Sequence, residues 1–71
     1  MLIPDDMTNS EVAHIIDEYV RSARDREILK ARLIDGMCFE PLSEKFGLSV
    51  NQTKNIVYKA EKRLFRHFKR A

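Results

Sequence analysis

Apolar residues along this chain recur at helical spacing and fall into four clusters separated by turn signals. After Thr8, the residues Val12, Ile15, Ile16, Tyr19 and Val20 return every three or four positions, predicting a helix from Asn9 to about Arg21. Thr8 is suited to cap it, with Glu11 as the partner that closes a capping box. Ser22 and Asp25 form a second start signal, opening a helix from about Ala23 to Ile34 with the apolar stripe Ile28, Leu29, Ala31, Leu33 and Ile34. Charged residues surround that stripe, and Glu27 and Lys30 lie one turn apart, where an ion pair adds only tenths of a kcal/mol. Asp35-Gly36 ends the helix, and Met37 reads as a core filler. A third, short helix is expected over Phe39 to Phe46, with Pro41 in its first turn, where a missing N–H does little harm. Cys38 stands at its cap, although a thiol is a poorer acceptor than a hydroxyl. Gly47 suits the left-handed residue that follows a helix end, Leu48 is an apolar plug, and Ser49 with Gln52 makes another capping box. The last helix runs from about Val50 to Phe68. Residues 1–7, which include Pro4 and Asp5-Asp6, read as an arm whose Leu2 and Ile3 could fold back onto the body.

Helix, glycine, apolar residue, capping serine, helix is the sequence form of a helix-turn-helix, here spanning residues 38–57. The expected fold is therefore all-α. It is a single four-helix, bundle-like domain with a C-terminal helix-turn-helix, of the winged-helix-like kind but without a wing. In such motifs the second helix is normally laid in the DNA major groove. At about 100° per residue, Thr53, Ile56, Val57, Ala60 and Leu64 share one face of the last helix. Asn51, Asn55, Tyr58, Lys59, Lys62 and Arg66 fall on the opposite face, flanked by Gln52 and Lys54. Amides dominate its first two turns, and lysine and arginine the turns behind them.

Composition adds little until the charge is divided along the chain. Seventy-one residues suit one domain, and a domain of that size buries only about 60% of its unfolded surface. Scarce glycine and proline agree with helices. The acidic start MLIPDDM does not read as a signal peptide, no apolar run reaches membrane-spanning length, and a single cysteine fits a reducing cytoplasm. The net charge of +2 conceals an asymmetry. Residues 1–36 carry five Lys/Arg against eight Asp/Glu, a net of −3, whereas residues 37–71 carry eight against three, a net of +5. Positive charge thus gathers in the helix-turn-helix half, as expected of a surface that meets phosphates.

The run RDREILKARLIDGMCFEPLSEKFGLSVNQTKNIVYKAEKRL, Arg24 to Leu64, resembles region 4 of bacterial sigma factors. Ile28, Arg32, Gly36, Leu42, Gly47, Leu48, Ser49, Ala60 and Leu64 stand at the positions that carry the likeness. Three residues depart from that pattern: Ser43 replaces a small alanine, Cys38 a Ser/Thr cap, and Thr53 a buried aliphatic residue. The resemblance implies that the recognition helix reads −35-type promoter DNA through Val50, Asn51, Gln52, Lys54 and Asn55. It also implies a contact with the β-subunit flap of RNA polymerase. A working sigma factor needs a further region for the −10 element, which this length leaves no room for. The expectation is a stand-alone region 4 domain of the kind found as small phage or prophage regulators.

The chemistry at single positions follows. Asn51, Gln52 and Asn55 can pair bidentately with adenine, and Lys54 joins them as a candidate base reader. Lys59, Lys62 and Arg66, with Lys45, Ser49 and Arg32, are candidate phosphate contacts, fixing register without reading sequence. Tyr58, Phe65 and Phe68 are expected on a flank of the last helix, about 60–120° from the centre of its core face. Either the arm or the first helix covers them, or they meet a second copy or RNA polymerase. His14, Asp17 and Glu18 could share a face as metal ligands, but no partner cluster accompanies them, and no metal site is expected. No phosphate loop, paired catalytic carboxylates or nucleophile–base motif occurs, so neither an enzyme nor a cofactor is expected. Two alternatives stand beside the DNA reader. One is a LuxR-type output domain, dimeric through its last helix. The other is an interaction module that docks on RNA polymerase and alters promoter choice.

Overall fold

The computed structural model describes residues 7–68. They form helices α1 (Asn9–Tyr19), α2 (Ala23–Leu33), α3 (Phe39–Phe46) and α4 (Val50–Phe68), with no strand among the described residues. The expected arm lies outside the described residues except for Met7, which packs against the core.

Local signals set several of these helix ends. Thr8 and Glu11 exchange bonds at the start of α1: the Glu11 N–H donates to Thr8 Oγ1, and the Thr8 N–H to Glu11 Oε1, both at 3.1 Å. Ser22 caps α2 by accepting from the Asp25 N–H at 3.3 Å. α1 stops two residues short of the expected Arg21, because Val20 turns to extended backbone and sends its side chain into the core. α2 ends at Leu33, one residue before the expected Ile34, and Gly36 then adopts a φ of 72°. Cys38 stands at the α3 cap with cap backbone geometry but makes no side-chain cap bond.

Between α3 and α4 the chain turns at Gly47, whose φ is 67°. The Leu48 N–H reaches back to the Ser43 carbonyl at 2.9 Å and the Gly47 N–H to the Glu44 carbonyl at 3.2 Å. This bond pair defines a Schellman ending. Ser49 then opens α4 in a reciprocal box with Gln52: the Gln52 N–H donates to Ser49 Oγ at 3.1 Å, and the Ser49 N–H to Gln52 Oε1 at 3.0 Å.

α4 and α2 are the central elements, because each packs on all three other helices, while α1 and α3 do not meet. The core joins Val12, Ile16 and Val20 to Ile28, Leu29, Ala31, Leu42, Val57, Leu64 and Phe68. Burying each large member contributes roughly 1.5–3 kcal/mol. The two polar residues in this interior are satisfied locally: Ser43 Oγ donates to the Glu40 carbonyl at 2.7 Å and Thr53 Oγ1 to the Ser49 carbonyl at 3.0 Å. Hydroxyls at these two positions therefore leave no buried polar atom unpaired.

Tertiary contacts pair charges differently from the helical spacing. Lys30 reaches across to Asp17 of α1 at 2.7 Å rather than along its own helix to Glu27. The bond from Lys30 holds the Asp17 carboxyl below its ordinary pKa. Tyr19, expected in the apolar stripe of α1, is 38% exposed and stacks on His67 near the end of α4, with ring centroids 3.7 Å apart. Among the described residues, no helix is long and apolar enough to cross a membrane.

Candidate nucleic-acid interface

Packing on three sides leaves one face of α4 outward. Asn51, Gln52, Asn55, Tyr58, Lys59, Lys62, Arg63 and Arg66 are exposed along it. The only carboxylate in the helix, Glu61, is half-buried on another side. Burial raises its pKa, against the opposing pull of the Arg32 charge. The outward face therefore carries cations and amides without a compensating acid.

Asn51 and Asn55 make no side-chain hydrogen bond among the described residues, so both amides keep their full donor and acceptor capacity. Gln52 is different: its carbonyl oxygen is held by the Ser49 N–H, leaving the amino group free to donate outward. Ser49 is exposed, and its hydroxyl oxygen caps α4. Val50 is half-buried at the helix start. Asn55, Tyr58, Lys59 and Lys62 line a shallow groove of about 250 Å³ along the outward face.

The remaining cations divide by environment. Lys45 is exposed near the end of α3, its ammonium 6.0 Å from the Phe46 ring centroid. Lys54 is half-buried on the flank of α4, 5.8 Å from the centroid of Phe39. Arg32 is tied inward: Nη1 donates to the Met37 carbonyl at 2.9 Å, and its guanidinium lies 4.3 Å from the Phe39 centroid. Arg32 therefore braces the α2–α3 connection. Tyr58 meets the same ring edge-on at 5.9 Å. Phe39 is thus the centre of a cation–aromatic cluster that helical spacing within α4 did not reveal, because its members come from three helices.

The expected aromatic flank needs one correction. Tyr58 and Phe65 are 51% and 42% exposed, but Phe68 is fully buried in the core. Phe68 follows Val57 by eleven residues, about three full turns at 3.6 residues each, so it returns to the core side of the helix. It is not available to a partner. Leu2 and Ile3, the expected cover for this flank, lie outside the described residues.

Of the three possible metal ligands of α1, Asp17 is engaged away from the other two. Asp17 pairs with Lys30, while His14 faces Glu18 at 3.4 Å. No group of three such ligands comes together among the described residues. Two further exposed cations, Arg63 and Arg21, stand beside the expected contacts. Arg63 had a signal, one turn after Lys59, whereas only the tertiary fold brings Arg21 near α4, where both line one cavity. No family model matches this chain, and no curated protein or solved structure does either.

Proposed function

We propose that the chain is a sequence-specific, duplex-DNA-binding transcription regulator in which α3, the Gly47 turn and α4 act as a helix-turn-helix. The observation that carries this reading is the outward face of α4, where unengaged amides precede a run of cations and no acid intervenes. Asn51 and Asn55 would read base edges, with adenine the natural partner of a bidentate amide. Gln52 would contribute its amino group, and Lys54 could extend from the flank. Lys59, Lys62 and Arg66 would neutralise phosphates and set the register, with Lys45 and Ser49 at the turn as further contacts. The likeness to sigma factor region 4 agrees with this division of labour and suggests −35-type promoter DNA as the target.

A second reading, docking on RNA polymerase, is favoured by the exposed rings of Tyr58 and Phe65 on the flank of the same helix. A LuxR-type dimer built on the outward face of α4 is disfavoured, because a two-fold pairing there would set Lys59, Lys62 and Arg66 against their own copies.

The test is selection of a site from random duplexes, followed by binding across a salt series. Affinity is expected to fall steeply with salt. Asn55→Ala should cost about 1–3 kcal/mol and relax one base position, while Lys62→Ala should weaken all sequences alike. Weak, sequence-blind binding by the wild type would reject base reading, and capture of RNA polymerase would then support the docking reading.

A further inference from the structure

We infer that a second groove, between the α1–α2 turn and α4, holds backbone phosphates of the duplex whose bases meet α4. This inference rests on the duplex-binding reading and adds a binding surface to it.

The groove encloses about 540 Å³ and is lined by Arg21 and Ser22 from the turn and by Lys59 and Arg63 from α4. Ile56 and Ala60, both half-buried, add an apolar lining between them. Arg21, Lys59 and Arg63 are exposed, and none forms an ion pair among the described residues. The single carboxylate in the lining is Asp25, whose Oδ1 already accepts from Arg24 Nε at 3.3 Å. Three cations around one groove repel one another, and fold stability supplies no reason to gather them. A polyanion would remove that repulsion.

Two features select a duplex backbone over an acidic peptide. Lys59 lines both this groove and the one formed by Asn55, Tyr58 and Lys62, so an anion held here lies beside the amide-bearing face. The cations also stand on opposite walls: Lys59 and Arg63 one turn apart on α4, and Arg21 across from them. A strand passing between the walls would meet charge from both sides.

The experiment compares duplex affinity across a salt series for wild type, Arg21→Gln/Arg63→Gln and the charge-keeping Arg21→Lys/Arg63→Lys, with circular dichroism confirming the helices. Each phosphate contact contributes about 0.9 to the slope of log affinity against log salt, so the Gln variant should lose up to about 1.8. That loss should be alike for selected and random duplexes, and the Lys variant should keep the wild-type slope. A Gln variant with the wild-type slope overturns the inference while leaving the recognition face intact. Absence of salt-dependent duplex binding by the wild type instead overturns the parent reading, and the groove assignment with it. Poly-L-glutamate is the competing probe. A Gln variant that loses binding to poly-L-glutamate but keeps its duplex slope assigns the groove to an acidic protein and overturns the phosphate assignment.

Discussion

At the scale of single residues, the two ends of α3 behave differently because their caps differ. Gly47 holds a φ of 67°, and a Cβ built there would meet nothing within 4 Å. Strain in the left-handed backbone is then the whole cost of adding a side chain. Gly47→Ala should destabilise the protein by about 1–2 kcal/mol, measured by urea unfolding. A loss well above that range would mean that the turn carries packing as well as backbone strain. Cys38 is the opposite case, a cap position with cap geometry and no cap bond. Cys38→Ser supplies the hydroxyl acceptor and should raise stability by about 1 kcal/mol. No change in the unfolding midpoint would show that the first N–H groups of α3 are already satisfied by water.

At the scale of elements, α4 serves as core spine on one side and exposed face on the other, so its substitutions should separate cleanly. Leu64 is fully buried in the core. Leu64→Ala should cost about 2–5 kcal/mol through lost burial and the cavity left behind. That is a large share of the roughly 5–15 kcal/mol available to a small domain. Thermal unfolding of Leu64→Ala beside Lys62→Ala checks the division, since an exposed substitution of the second kind should stay within about 0.5 kcal/mol of wild type. Comparable losses in the two variants would contradict the assignment of faces.

At the scale of the whole molecule, stability should respond to pH through two carboxyls that act in opposite directions. Lys30 lowers the folded pKa of Asp17, so the native state releases that proton more readily than the unfolded chain. Its contribution is present above the ordinary aspartate range and is lost as pH falls below it. Burial raises the folded pKa of Glu61, so the native state keeps a proton that the unfolded chain has released. Over the interval above the ordinary glutamate range, stability therefore falls as pH rises. Glu61→Gln should flatten that decline and leave the acid-side loss from Asp17 in place, as read from urea unfolding between pH 3 and 7, a span of about 4 units around the carboxylate range. An unchanged profile would show that Glu61 is fully solvated in the native state.

Helix identities and most boundaries were legible in the sequence because their causes lie within a few residues. Capping pairs at Thr8/Glu11 and Ser49/Gln52, glycine at 47 and apolar returns every three or four positions act over one turn of chain. The sidedness of α4 followed from the same periodicity, and with it the candidate recognition residues. Tertiary structure alone decided which groups meet across elements. It joined Lys30 to Asp17, stacked Tyr19 on His67, turned Arg32 onto Phe39 and brought Arg21 up to Lys59 and Arg63. The physical reason is range: backbone bonding and helical periodicity are local and readable along the chain. Ion pairing, ring stacking and groove formation depend on how the helices cross, which their combined burial sets.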